Sequence, residues 1–275
     1  MERRRAMGAS MLAREIHRKE HAGPKPLGQY TAPMIQFRET AARSDLGRQR
    51  RRNEDRFHAQ AAPGLLLVAD GLGGHNAGDV ASTIAITTCS ETLTALGGAR
   101  EPEQLRLAVA EANAAIFAAA SNTPRWFGMG TTLVAAALCQ GRLAVAHVGD
   151  SRLYRLRGAR LERLTRDHSL AEDLLARGYS TTEALRRAES KALTRALGPS
   201  LDVEIDLATF DMHTDDVLLL CSDGLHGMID DAEIAAQLTA GRLAGDSLES
   251  QAETLIALAN QRGGQDNITV VLGLC

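Results

Sequence analysis

The sequence predicts an α+β fold that combines antiparallel β-sheets with helices. Very short links join four consecutive apolar runs between residues 131 and 164. Links of that length permit only antiparallel pairing, because a parallel crossover needs a dozen or more residues. Two adjacent capping boxes, which begin at Ser169 and Ser180, predict a small helical insert at about 165–195.

The predicted elements follow one another from about residue 36 onward. Residues 64–70 form a continuous apolar run, which indicates a buried strand. Asn76 is placed to cap a helix, and Pro102 fits the first turn of a second helix with one apolar face. The other predicted elements are strands over 131–138, 142–148, 152–157, 160–164, 216–221 and 268–274, and a helix that begins near 248 and ends before 263.

The first 34 residues differ in character from the rest of the chain. They carry a local excess of four positive charges and three prolines, whereas residues 35–275 carry a net charge of −7. We interpret residues 1–34 as a flexible N-terminal extension with a short helix near 7–19. Residues 35–275 are long enough and apolar enough to form one domain with a large core.

Composition excludes several classes of protein. The net charge of −3 argues against nucleic acid as a partner. The four cysteines are scattered, without metal-ligand spacing, which is typical of reduced thiols in a cytoplasmic protein. No apolar run approaches the roughly 18 residues of a membrane helix, and no apolar stretch follows the N-terminal arginines, so neither a membrane span nor a secretory signal is expected.

Acidic residues recur where predicted strands end or begin. Asp70, Asp150 and Asp223 each follow an apolar run, and two further acidic groups stand where strands begin, Glu54 with Asp55 before residues 56–59 and Asp266 before residue 268. In an antiparallel sheet, the end of one strand lies beside the start of its neighbour. We therefore expect all six carboxylates to meet at one edge, although an Asp-Gly pair on its own is most often a turn.

Clustered carboxylates need cations, because close negative charges resist shared ionisation. All-oxygen ligands favour hard ions such as Mg²⁺ or Mn²⁺, and two such ions about 4 Å apart activate water for phosphoryl transfer. The four histidines at 75, 147, 168 and 226 have no ligand spacing and are interpreted as structural. The basic run at 48–52 is interpreted as a solvated or weakly anion-binding stretch.

Seven short motifs together resemble those of bacterial PPM-type (type 2C) protein phosphatases. Each motif is weakly specific alone, but they occur in the family's order and cover about residues 40–275. The matching segments are 47–55, 70–78, 128–132, 148–152, 193–198, 221–225 and 264–269.

The resemblance implies a role for each matching residue. Asp70 would bridge two Mn²⁺ or Mg²⁺ ions, and Asp150 with Asp223 would match a possible third-metal site. Arg50 would hold the substrate phosphate through its planar guanidinium. The remaining implied roles are metal ligation by Asp223 and Asp266 at the first ion, ligation by Glu54 and the Gly71 carbonyl at the second, and orientation of metal-bound water by Asp55.

The resemblance also implies a fold, an activity and partners. The expected fold is two packed antiparallel sheets flanked by helices, an α-β-β-α sandwich, with residues 165–195 as its flap. The expected enzyme is a cytoplasmic, monomeric phosphatase that hydrolyses phosphoserine and phosphothreonine in proteins and opposes a bacterial Ser/Thr kinase. Leu72 replaces a histidine that eukaryotic relatives carry, which leaves the proton donor open.

Two alternatives stay open on the sequence. A two-metal phosphoesterase that acts on small molecules or nucleotides would need the same carboxylates, because two-metal catalysis does not depend on which group leaves the phosphate. A catalytically silent phosphatase-like regulatory module would be expected to lose metal-ligand carboxylates, and none is missing here.

Overall fold

The computed structural model describes residues 35–72, 77–99, 101–183 and 192–275. The predicted extension over 1–34, its helix near 7–19 and the predicted cap Asn76 lie outside these ranges. Among the described residues, no helix is both long enough and apolar enough to cross a membrane.

Twelve described strands form two five-stranded antiparallel sheets and one short ladder. The first sheet has the order β1-β12-β11-β8-β9, the second has the order β10-β7-β6-β3-β2, and β4 pairs with β5. The strands are β1 (Glu39–Asp45), β2 (Arg56–Gln60), β3 (Leu65–Ala69), β4 (Gly71–Leu72), β5 (Gly130–Thr131), β6 (Leu133–Cys139), β7 (Arg142–Val148), β8 (Arg152–Arg157), β9 (Arg160–Arg163), β10 (Asp206–Asp211), β11 (Val217–Cys221) and β12 (Ile268–Leu274).

Helices cover the outer face of each sheet. The second sheet packs against the first two helices, and the first sheet packs against the last two. The helices are α1 (Gly78–Ala95), α2 (Pro102–Asn122), α3 (Leu170–Ala176), α4 (Asp223–His226), α5 (Asp231–Ala244) and α6 (Leu248–Gln261), with a 3₁₀ turn at Pro124–Trp126.

The two sheets pack face to face, which confirms the predicted α-β-β-α sandwich. Leu66 and Val68 of β3 point into a core shared with Leu218 and Leu220 of β11. The alternate β3 residues, such as Leu67, point the other way, into the core beneath α1 and α2. Because both faces are covered, β3 is apolar at every position rather than at every second one.

The short links had predicted that β7 and β8 pair with each other in one continuous meander, but these two strands do not pair. β7 pairs with β6 and β10, whereas β8 pairs with β9 and β11 in the other sheet. Gly149 has a φ of +109°, and a Cβ at this position would lie 2.6 Å from the Thr132 side chain. The link therefore carries the chain from one sheet to the other beside Asp150.

The described part of the insert contains one of the two hydrogen bonds of each predicted capping box, the bond from a helix amide to the serine hydroxyl. The Glu172 amide donates to Ser169 Oγ at 3.3 Å, and α3 follows directly. The Glu183 amide donates to Ser180 Oγ at 3.3 Å. Residues 184–191 of the insert lie outside the described ranges.

Candidate active site

A small acidic cavity of about 100 Å³ lies where strands of both sheets end. All of the predicted site residues except Asp55 line it. Leu72, which replaces the histidine of eukaryotic relatives, also lines it. The sheet edge expected from the sequence therefore exists in the structure. The lining residues are Arg50, Glu54, Asp70, Gly71, Leu72, Asp150, Leu193, Asp223, Asp266 and Asn267.

Asp55 lies behind this lining, 2% exposed. Its Oδ2 accepts hydrogen bonds from Ser222 Oγ at 2.7 Å and from Thr269 Oγ1 at 2.6 Å. Within the described ranges, its Oδ1 has no hydrogen-bond partner. Burial raises the pKa of Asp55 to about 6, and repulsion from Asp223 adds to this, although the two hydroxyls oppose the shift.

Two threonines hold the backbone of Asp70, one at the end of β5 and one directly before β6. Thr131 Oγ1 donates to the Asp70 carbonyl at 2.8 Å, and the Thr132 amide donates to the same oxygen at 2.9 Å. The Asp70 amide in turn donates to Thr132 Oγ1 at 3.0 Å. These contacts fix the aspartate at the point where β3 gives way to β4.

Glu54 is positioned by a close approach of two glycines. Its amide donates to Asn267 Oδ1 at 2.9 Å, and its carbonyl accepts from Ser82 Oγ at 2.5 Å. A Cβ at Gly78 would lie 3.0 Å from both the Glu54 carboxyl carbon and the Gly71 carbonyl oxygen. Only glycine leaves this space open, so the Glu54 carboxylate and the Gly71 backbone lie side by side.

Two histidines brace the backbone around Asp150. His226 Nε2 lies 3.0 Å from the Asp150 carbonyl, and the Gly149 amide donates to His168 Nδ1 at 3.1 Å. Burial lowers the pKa of His226 to about 3, so its ring is neutral and donates to the carbonyl. Asp223 reaches the cavity from the first turn of α4.

Electrostatics in the cavity favour a cationic occupant. Burial raises the pKa of Asp70 well above its usual range, and repulsion from Asp55, Asp223 and other carboxylates adds to the shift. The pKa of Glu54 is also raised, by burial and by Asp79. A cation would relieve this repulsion, and the donor set consists of oxygens, so the residues fit hard divalent ions such as Mn²⁺ or Mg²⁺.

Arg50 is the basic residue of the lining. Its Nη2 lies 2.6 Å from Asp266 Oδ2, which raises the pKa of the guanidinium above its ordinary value. The Arg50 side chain is half exposed, whereas Asp266 is largely buried. The remaining guanidinium donors are therefore accessible from the mouth of the cavity.

A second group of ligand-type side chains lies away from this cavity. His147, His168 and Asp206 offer atoms that all lie within 4.8 Å of one another, and sequence spacing had not predicted that these histidines meet. His168 Nδ1 accepts a hydrogen bond from the Gly149 amide, and its Nε2 lies 3.1 Å from Asp206 and 3.3 Å from Arg195 Nη1. Both ring nitrogens therefore have polar partners within the protein, which supports a structural role.

Sequence reasoning assigned no role to the polar residues that support the carboxylates. They are hydroxyl and amide side chains inside or beside the recognised motifs, where they hydrogen-bond to the acidic residues or to their backbone. Only Ser222 and Asn267 stand directly next to an acidic residue in the sequence, so this signal was available for these two alone. The main ones are Ser82, Thr131, Thr132, Ser222, Asn267 and Thr269.

A two-sheet sandwich with an acidic, all-oxygen cavity at one edge defines the class of metal-dependent phosphate-ester hydrolases. The chain belongs to the Protein phosphatase 2C family, whose profile matches residues 47–265. Enzymes of this family are metal-dependent protein serine/threonine phosphatases that use Mn²⁺ or Mg²⁺, and this is the activity of the chain.

Named relatives are bacterial. The serine/threonine phosphatase stp of Listeria monocytogenes is 42% identical over 238 residues, which cover 84% of this chain and 93% of the relative. The Mycobacterium tuberculosis phosphatase PstP/Ppp has a crystal structure with a TM-score of 0.77 and 38% identity, covering 86% of this chain and 97% of that one. The structure of a PstP catalytic domain in complex with two manganese ions has a TM-score of 0.76 and 37% identity. The match covers 86% of this chain and 97% of that one.

Proposed function

We propose that the chain removes phosphate from phosphoserine and phosphothreonine in proteins at the acidic cavity. The observation that carries this assignment is the meeting of five carboxylates with Arg50 in one small cavity. Asp70 would ligate both divalent ions, Asp223 and Asp266 would hold the first, and Glu54 with the Gly71 carbonyl would hold the second. The structure of the PstP catalytic domain with two manganese ions supports two as the number of ions that these ligands hold.

The chain's own residues bind and orient the reactants. When bound, the ions lower the pKa of water and neutralise charge on the phosphate. Arg50 holds the substrate phosphate with the donors that its pairing to Asp266 leaves accessible. Asp55, which Ser222 and Thr269 hold in place, would accept a hydrogen bond from the attacking water and orient it. Asp150, together with Asp223, would hold a third ion if one binds beside the first two.

We further propose the cellular setting that these assignments imply. The phosphatase domain spans residues 35–275, acts as a monomer in the cytoplasm and opposes a Ser/Thr kinase, with residues 1–34 as an extension that the chemistry does not need. Leu72 lines the cavity and cannot donate a proton. The complete set of carboxylates argues against a silent module, and relatives named as protein phosphatases argue against a small-molecule esterase.

The test is turnover of a phosphothreonine peptide with defined metal. Excess chelator should abolish turnover, and added Mn²⁺ should restore it. Asp70→Asn should lower kcat by more than roughly a hundredfold, since even residues that only orient a metal ligand cost about 10–100-fold. Glu103→Gln, which removes an exposed carboxylate of α2, is the matched control and should leave kcat unchanged.

Three outcomes would contradict the proposal. Full activity in excess chelator would exclude the two-ion site. Near-normal kcat of Asp70→Asn at saturating Mn²⁺ would exclude the ligand assignment. Faster turnover of nucleotides than of phosphopeptides would assign the cavity to small phosphate esters instead.

A further inference from the structure

The loop that carries Arg50 holds an unusual concentration of positive charge. Arg48, Arg51 and Arg52 surround Arg50 in the sequence, and all are exposed. Arg50 is paired with Asp266, but within the described ranges the other three form no ion pair. Elsewhere in the described chain, arginines are commonly paired, as Arg152 is with Asp167.

The loop is held rigidly at both ends. The Asn267 side chain donates to the Leu46 carbonyl and to the Arg52 carbonyl, both at 2.9 Å. The Arg48 amide donates to the Gly264 carbonyl at 2.7 Å. A rigid loop presents its side chains without a large ordering cost on binding. The backbone that carries these three arginines, which we call the arginine rim, is therefore fixed, and the same loop reaches the cavity through Arg50.

The rim is close enough to touch the substrate on either side of the phosphorylated residue. Consecutive Cα atoms are about 3.8 Å apart, so Arg51 and Arg52 begin within about two residue lengths of the phosphate-binding Arg50. An extended peptide advances about 3.3 Å per residue. Side chains one to four positions from the scissile phosphothreonine thus lie within reach of the rim.

Charge explains why a rim is useful here. Residues 35–275 carry a net charge of −7, and a phosphopeptide is itself anionic, so the body of the enzyme repels its substrate. Exposed arginines in a fixed loop counter this locally, and their planar guanidinium groups suit carboxylate and phosphate oxygens. A neutral or basic flanking sequence would gain nothing from them.

We propose that the arginine rim selects phosphoprotein segments that carry carboxylates or a second phosphate within a few positions of the scissile phosphoserine or phosphothreonine. This inference rests on the proposed function, because it takes Arg50 as the site of the scissile phosphate. It assigns to Arg48, Arg51 and Arg52 a role in substrate choice that is separate from metal binding and from the chemical step.

The experiment compares two phosphothreonine peptides of equal length. One carries Asp and Glu at the three positions on each side of the phosphothreonine, and the other carries Asn and Gln there. The enzymes are the natural chain, the variant Arg51→Gln/Arg52→Gln, and the control Arg125→Gln/Arg160→Gln. The control also removes two positive charges, from arginines outside the cavity lining and without an ion pair in the described ranges.

The natural chain and the control should prefer the acidic peptide in kcat/KM by roughly tenfold, since each of two exposed ion pairs contributes a factor of about three. The rim variant should lose most of this preference, and added salt should weaken the preference of the natural chain. Thermal unfolding establishes that each variant is folded.

Equal use of the two peptides by the natural chain would overturn the rim proposal, as would an unchanged preference in the folded rim variant. Both results leave the proposed function intact, because the neutral peptide is still hydrolysed. Failure of the proposed function would instead appear as no turnover of either peptide with Mn²⁺. Binding of an oligonucleotide that depends on the rim, with an unchanged peptide preference, would also overturn the proposal.

Discussion

At the scale of single residues, Asn267 ties three parts of the site together. Its Oδ1 accepts the Glu54 amide, and its Nδ2 donates to the Leu46 and Arg52 carbonyls. Its own amide donates to Asp266 Oδ1 at 2.9 Å. Asn267 thus contacts two proposed metal ligands, Glu54 through its side chain and Asp266 through its backbone amide, and its side chain closes the base of the arginine loop.

Asn267→Ala should lower both stability and metal affinity. Loss of its hydrogen bonds leaves partly buried backbone groups without partners, which costs about 1–3 kcal/mol of unfolding free energy. Because the variant keeps every proposed ligand, Mn²⁺ affinity should fall by only about 10–100-fold, as measured by titration calorimetry on folded protein. Asn122→Ala, at the exposed end of α2, is the control. Unchanged Mn²⁺ affinity in folded Asn267→Ala would exclude the positioning role.

The difference between what could and could not be predicted is clearest among these side chains. Carboxylates at the ends of three predicted strands and at the starts of two others are unusual in combination, so Asp70 and its partners were found from the sequence. Thr131, Ser222 and Asn267 were not, because hydroxyl and amide residues near turns have many ordinary explanations. Only the contacts in the structure show which of them hold the acidic groups.

At the scale of elements, the sequence predicted strands better than their pairing. Both β7 and β8 were predicted from the sequence, but the link between them, residues 149–151, passes from one sheet to the other. A link of three residues does not reveal whether the chain turns back in the same sheet or crosses to another. β10 (Asp206–Asp211) was missed because its residues are largely exposed and polar. An edge strand with one solvated side lacks the continuous apolar run that marked β3 and β11.

β7 also carries a buried histidine that should make stability depend on pH. His147 pairs in register with Asp206 of β10, and its ring lies 4.7 Å from that of His168. Burial lowers the pKa of His147 to about 4, and His168 lowers it further, although Asp167 and Asp206 oppose the shift. The folded chain therefore favours the neutral ring, whose stabilising contribution is full above pH 6.5 and is lost as the pH falls toward 4.

His147→Gln should therefore flatten the fall of unfolding free energy between pH 7 and pH 4. The shift from about 6.5 to about 4 corresponds to a contribution on the order of 3 kcal/mol. Urea unfolding at several pH values measures it, with His213→Gln, at an exposed histidine, as the control. An equally steep profile in His147→Gln would mean that other groups dominate acid unfolding.

At the scale of the whole molecule, the sandwich gathers acidic strand ends at a cost in stability. The ends belong to both sheets, so the carboxylates meet only because the sheets pack face to face. Repulsion and burial raise the pKa of Asp70 and of Asp55, so at neutral pH their ionised forms destabilise the metal-free fold. The three cores of the sandwich, one between the sheets and one beneath the helices on each outer face, must offset this cost.

Bound ions should remove this cost, so Mn²⁺ should raise the unfolding temperature of chelator-treated protein. A ligand that binds only the folded chain at a hundred times its Kd contributes about 2.7 kcal/mol. For a domain of this size, each kcal/mol shifts Tm by about 2–4 °C, which gives a rise of roughly 5–10 °C. Differential scanning calorimetry with and without Mn²⁺ measures this without reference to catalysis.

The variant Asp70→Asn separates two effects on the unfolding temperature, the repulsion between buried carboxylates and the binding of Mn²⁺. Removal of one buried negative charge should raise Tm in the absence of metal, because the repulsion falls. The same change removes the proposed bridging ligand, so the further rise with Mn²⁺ should be largely lost. Glu103→Gln should behave like the natural chain in both conditions. If Asp70→Asn kept the full Mn²⁺-dependent rise, the stabilising ions would bind elsewhere, and the acidic cavity would not be the origin of the metal dependence.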